Sequence, residues 1–134
     1  MNTILKYSNV ENVTELVISK KEGVIFFMKK WTLDYWDDES GKHSVERWLQ
    51  KLTHEHFKAV FKKLKLLEKM GNDLKLPHSR PLGKGLFELR EFNYGYRVYY
   101  GFYKDKLIIL LHAGDKDTQQ KDIKVARGRL AKMQ

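Results

Sequence analysis

Between Trp31 and Trp36 the chain alternates Trp31, Leu33 and Tyr35 with Thr32, Asp34 and Trp36. That period of two predicts a strand. The polar run Asp37-Asp38-Glu39-Ser40-Gly41 ends it as a loop. Beyond the loop the period changes. Val45, Trp48 and Leu49 share one side of a short helix that Ser44 can cap. Phe57, Val60, Phe61, Leu64 and Leu67 then recur at the spacing of a longer helix, with Thr53 as its cap and Gly71 at its end. A loop through Pro77 and Pro81 leads to three strands, roughly residues 86–92, 96–103 and 106–113. Asn93-Tyr94-Gly95 and Lys104-Asp105 supply the turns. Gly114 breaks the last strand, and Asp117 or Thr118 can cap a final helix that turns Ile123, Ala126 and Leu130 inward. The order strand–helix–helix–strand–strand–strand–helix predicts an α+β fold with a mostly antiparallel sheet.

Residues 1–27 are patterned differently. They are mildly acidic and carry one apolar run, Val24-Ile25-Phe26-Phe27. We read them as an N-terminal extension to a domain over residues 28–134. Either translation begins at Met28, or the segment adds a strand or a partner-contact element.

Length and composition fit one packed domain, with 134 residues of which 42% are hydrophobic. The apolar run Leu107 to Leu111, which none exceeds in length, is far short of the ~20 residues of a membrane span. The N-terminus lacks the layout of a secretion signal, and the absence of cysteine removes disulfides and thiolate metal sites. These features predict a cytoplasmic protein. His43, His54, His56 and His78 have no metal-ligand spacing, so no metal site and no cofactor are predicted.

Charge changes the picture. The net charge is +9, and it is unevenly placed. Residues 1–41 hold 5 basic and 7 acidic side chains, whereas residues 42–134 hold 21 and 10. Such a basic domain attracts polyanions, nucleic acid first among them. Lys58, Lys62, Lys65 and Lys69 recur at helical spacing and form a basic stripe on the longer helix, either an RNA-backbone track or a solvated face.

Turn lengths suggest a register. With Lys104-Asp105 as a two-residue turn, Tyr103 pairs with Lys106, Tyr99 faces Leu110 and Arg97 faces His112. Closure of the first hairpin through Asn93-Tyr94 sets Arg90 opposite Arg97. Arg90, Arg97 and His112 then form one row. Like charges directly opposite on a sheet are unfavourable, so the row calls either for an anion such as phosphate or for neutralisation by Glu88, Glu91 or Asp115.

Three segments carry a family resemblance. Pro81-Leu82-Gly83-Lys84-Gly85-Leu86-Phe87-Glu88-Leu89-Arg90 resembles the L-G-x-G-L-x-E-L-R segment of RelE/HigB toxins, particularly the phage-protein-like HigB branch. Tyr96-Arg97-Val98-Tyr99-Tyr100 is similar to its second strand, and residues 110–126 to its third strand and terminal helix. The resemblance covers about residues 29–131. It implies a RelE-like β-α-α-β-β-β-α fold with helices on one face of a twisted sheet. It also implies an mRNA interferase of a type II toxin–antitoxin system, acting on ribosome-bound message and restrained by an antitoxin, often a helix-turn-helix protein. The family's arginines correspond to Arg90 and Arg97, and its basic residue after the last strand to Lys116. This chain departs from the branch over residues 116–122, where many members carry more positive charge and a proline.

RNA cuts itself when its 2′-hydroxyl attacks the adjacent phosphate, a reaction that requires alignment, proton transfer and charge stabilisation but no metal. Arg90 and Arg97 would stabilise the crowded phosphate. His112 is the first choice as acid or base, since free imidazole titrates near ~6.5, unless it only hydrogen-bonds within the sheet. Lys116 is its rival. Tyr99 or Tyr103 could stack a base or could be core packing. Two other functions fit the same residues: a non-catalytic nucleic-acid binder, and a ParE-like inhibitor of DNA gyrase.

Overall fold

A computed structural model describes residues 14–19, 24–29 and 31–133, apart from 39 and 105. β1 (Thr14–Ser19) and β2 (Val24–Lys29) pair antiparallel as a separate two-stranded sheet. The boundary drawn at Met28 therefore falls inside β2. The remaining N-terminal positions lie outside the described residues.

The rest of the chain is α+β. β3 (Thr32–Tyr35) is followed by α1 (Ser44–Gln50), α2 (His54–Met70) and a 3-10 turn at Gly71–Asp73. Then come β4 (Ser79–Gly83), β5 (Leu86–Arg90), β6 (Tyr96–Tyr103), β7 (Leu107–Asp115), a 3-10 turn at Lys116–Thr118 and α3 (Gln119–Met133). The five strands form one mixed sheet in the order β3-β7-β6-β5-β4, with β3 parallel to β7 and the other pairs antiparallel. The expected loop through Pro81 is partly strand. Proline is tolerated there because β4 is an edge. No helix among the described residues is long and apolar enough to cross a membrane.

Helices cover both faces, not one. Val45 and Leu49 of α1 and Val60, Leu64 and Leu67 of α2 pack with Leu89, Val98, Tyr100, Ile108 and Leu110. Ala126 and Leu130 of α3 pack on the other face with Leu86, Tyr99 and Leu111. Thr53 caps α2, its side chain accepting from the His56 amide at 3.5 Å. Gly71 ends that helix at φ +54°, where a Cβ would collide with the Trp31 indole. Ser44 does not cap α1. His43 takes the N-cap position, and Ser44 Oγ accepts from Arg129 instead.

The first hairpin has the expected register, with Arg90 opposite Arg97. The second differs by two slips. Lys104 and Lys106 both adopt positive φ, and Tyr103 pairs with Leu107 rather than Lys106. A bulge between Tyr99 and Tyr100 then shifts the pairing again, so Tyr99 faces His112 and Arg97 faces Gly114. One slip would turn His112 to the opposite face; two return it to the face of Arg97, one row along.

Candidate functional site

Two rows of side chains meet under α3. The first runs Arg80, Glu88, Tyr99, His112 across β4, β5, β6 and β7; the second runs Arg90, Arg97, Gly114. The period of two along each strand puts all of them on one face.

Three guanidinium groups converge on one carboxylate. Glu88 is fully buried, and its Oε1 lies 3.3 Å from Arg80 Nη2, 3.8 Å from Arg97 Nε and 3.9 Å from Arg90 Nε. Its Oε2 accepts a hydrogen bond from Gln119 Nε2 at 2.7 Å. The Nε groups of Arg80, Arg90 and Arg97 are buried and make no hydrogen bond. The ion-pair distances to Arg90 and Arg97 exceed hydrogen-bonding range, so Glu88 offsets charge without saturating the donors. Three cations against one anion leave a surplus of two positive charges within the cluster. Arg97 is nearly covered, with 11% of its side chain exposed, while Arg80 at 42% and Arg90 at 29% reach solvent.

Of the three acids that could have neutralised the arginines, Glu88 alone turns toward them. Glu91 accepts from the amides of Asn93 and Tyr94 at 2.7 and 3.1 Å, which holds the β5–β6 turn. Asp115 accepts from the amides of Asp117 and Thr118 at 2.8 and 3.2 Å and starts the turn into α3.

His112 is held on both ring nitrogens. Its Nε2 lies 2.9 Å from Asp122 Oδ1, and Arg129 Nη1 approaches Nδ1 at 3.3 Å. Asp122 is buried and also accepts from the Thr118 hydroxyl. Burial holds the imidazole below its ordinary pKa, although Asp122 pulls the other way. Gly114 makes this packing possible, because a Cβ there would overlap the Asp122 carboxylate.

The remaining residues fall in different places. Lys116 is exposed at the same sheet end as Arg90 and Arg97. Its amide donates to Gly95 O at 2.9 Å, and its aliphatic chain lies along Gly95. Tyr99 is wholly buried in the α3-side core and offers no ring face to a base, which corrects the stacking expectation. Burial and the Glu88 charge push its hydroxyl pKa upward. Tyr103 sits at the far end of β6, about 20 Å along the strand from Arg97. Lys58, Lys62 and Lys69 are exposed and Lys65 half-buried on α2, which covers the opposite face of the sheet from the arginines. Lys65 also lies 3.7 Å from Glu68.

Sequence reasoning missed Arg80, Gln119, Asp122 and Arg129. Arg80 was hidden by its neighbour Pro81, which reads as loop. The other three lie on α3, and their contacts depend on how that helix crosses the sheet.

The profile of the family described as phage-derived protein Gp49-like (DUF891) matches residues 47–131. This chain belongs to the Gp49-like family. An uncharacterized protein of Haemophilus influenzae is 42% identical over 88 residues, which cover 63% of this chain and 83% of the relative. The Gp49-like region begins within α1 and runs almost to the end of α3. It contains every residue of the arginine cluster, together with His112, Lys116 and Asp122, and leaves β3 outside.

Proposed function

We propose that this Gp49-like protein is the toxin of a type II toxin–antitoxin pair, a cytoplasmic RelE/HigB-like endoribonuclease that cuts ribosome-bound mRNA. The observation that carries this reading is the convergence of Arg80, Arg90 and Arg97 on a single buried carboxylate. Guanidinium groups held in advance, with donors still free, suit a phosphodiester whose charge grows in the transition state. The basic balance of residues 42–134 and the RelE/HigB resemblance point to the same substrate.

In the proposed reaction the 2′-oxygen forms a bond to phosphorus while the 5′-oxygen bond breaks. A 2′,3′-cyclic phosphate and a 5′-hydroxyl result. The 2′-hydroxyl gives its proton to solvent water, and the leaving oxygen takes one from a positioned donor. Arg97 and Arg90 bind the non-bridging oxygens, and the more exposed Arg80 guides the strand. Lys116 takes the donor role ahead of His112, because both imidazole nitrogens are already engaged. His112 and Asp122 then act as a brace between β7 and α3. The antitoxin, a helix-turn-helix protein in this reading, would block the arginine end of the sheet.

The commitment of His112 favours one alternative: a protein that grips RNA with the same arginines but does not cut it. Expression in a bacterium separates these readings from a passive fold. The proposal expects growth arrest with transcript cleavage, and loss of both in Arg90→Ala and Arg97→Ala proteins that remain folded. Full toxicity in both variants would eliminate the phosphate clamp, and arrest without cleavage would favour the binder.

A further inference from the structure

The β5–β6 turn exposes two aromatic side chains, Phe92 at 49% and Tyr94 at 43%. Tyr94 is occupied, its ring stacked on His56 with centroids 3.8 Å apart. Phe92 instead keeps an exposed ring that two cations approach. Lys63 Nζ is 4.9 Å from its ring centroid and Arg90 Cζ is 5.5 Å away. Arg90 also points its Nε at Glu88. Phe92 therefore stands at the rim where the arginine cluster on the α3 side of the sheet meets the lysines of α2 on the other.

Beside Phe92 lies a groove of about 390 Å³ whose walls include Lys62, Lys63, Leu66, Glu91 and Asn93. Glu91 is buried, and its oxygens accept from the amides of Asn93, Tyr94 and Tyr96. It is thus committed to the turn. Lys63 Nζ donates to the His78 ring at 2.8 Å, which fixes the ammonium at the groove wall. Exposed ring, lysine ammonium groups and a concave space are together the chemistry of a single-stranded nucleic-acid platform, where an aromatic face holds a base and cations follow the backbone.

We infer that this groove receives one nucleobase of single-stranded RNA, stacked on Phe92, with the adjoining phosphates on Lys62 and Lys63. The inference rests on the RNA-cleaving reading and extends it. A strand whose scissile phosphate lies on Arg90 and Arg97 would place a flanking nucleotide here, since the Arg90 guanidinium lies 5.5 Å from the centroid of the Phe92 ring at the groove wall. The lysine stripe then joins the site through Lys62, around the sheet end rather than across its face.

The test is binding of a fully 2′-O-methylated RNA oligonucleotide, which cannot attack itself, carrying 2-aminopurine at successive positions. Wild-type protein should quench the fluorophore most strongly at one position. Phe92→Ala should abolish that quenching and weaken binding about tenfold, while Phe92→Trp keeps both. Lys62→Ala with Lys63→Ala should reduce the slope of log affinity against log salt by about 1.4. Because Phe92 is exposed, unchanged melting of these variants should accompany the loss. If Phe92→Ala binds and quenches like wild type while Arg97→Ala binds weakly, the groove is unused and the arginine site stands. If neither substitution changes binding, the nuclease reading fails and the groove with it. If Phe92→Ala leaves RNA affinity intact but releases a co-expressed antitoxin, the groove is a protein contact and the inference is overturned.

Discussion

Arg90 and Arg97 stand directly opposite each other on β5 and β6, and both turn their Nε groups toward Glu88 Oε1. A like-charged cross-strand pair is unfavourable by itself. Here a third arginine joins it, and one buried carboxylate holds the three together.

That relationship predicts the behaviour of Glu88→Gln. The substitution keeps the shape but leaves three guanidiniums without their anion. It should destabilise the fold by about 3 kcal/mol, the scale expected when one partner of a buried ion pair is removed. Added sulfate should restore more stability to the variant than to wild type. Urea unfolding with and without sulfate measures both; equal sulfate responses would show that the arginines do not form an anion site.

His112 gives a pH prediction. Its folded pKa lies below the ordinary value because of burial, so the unfolded chain takes up the proton first. The contribution of neutral His112 is fully present above about pH 6.5 and declines as pH falls through that value. Melting of wild type should therefore drop on acidification more steeply than melting of His112→Gln. Parallel curves between pH 5 and 8 would contradict the lowered pKa of the half-buried imidazole.

Gly114→Ala should be disproportionately damaging for a single methyl. Its Cβ would occupy the position of Asp122 Oδ2, forcing the carboxylate away from His112 and Thr118. A loss of about 2 kcal/mol is expected from overpacking, read by chemical denaturation. Ala at the exposed Gly128, where nothing lies within 4 Å of a Cβ, should instead stabilise α3.

Tyr103 and Tyr99 should separate in opposite senses. Tyr103→Ala should leave cleavage of a short RNA unchanged, since the residue is about 20 Å along β6 from Arg97. Tyr99→Ala should lower stability by about 4 kcal/mol, because it empties a fully buried site. A measured melt and a cleavage rate on each variant check the two statements.

How much of this was legible follows the physics of each segment. α2 could be read because one face is apolar and the other is lysine-rich, and Thr53 and Gly71 mark its ends. The Arg90–Arg97 pairing was legible because the first turn fixes a register that the alternation of β5 supports. β7 was not. Ile108 and Leu110 face α1 and α2 while Ile109 and Leu111 face α3, so the strand is apolar on both sides and carries no alternation from which to detect a slip. The expected row of Arg90, Arg97 and His112 is therefore two rows, with His112 beside Tyr99. The parallel pairing of β3 with β7 was equally hidden, since nothing local in Thr32–Tyr35 specifies a partner 75 residues later. The burial of both sheet faces follows from that double cover and turns Tyr99 from a base platform into core.

The most direct test of the central claim is cleavage of a short RNA by purified protein, with and without ribosomes, beside an identical RNA carrying one 2′-deoxy sugar at the cut site. The account predicts cleavage to a 2′,3′-cyclic phosphate and a 5′-hydroxyl, blocked by the deoxy sugar and abolished by Arg97→Ala. No cleavage under either condition, or cleavage indifferent to Arg97 and to the missing 2′-hydroxyl, would contradict it.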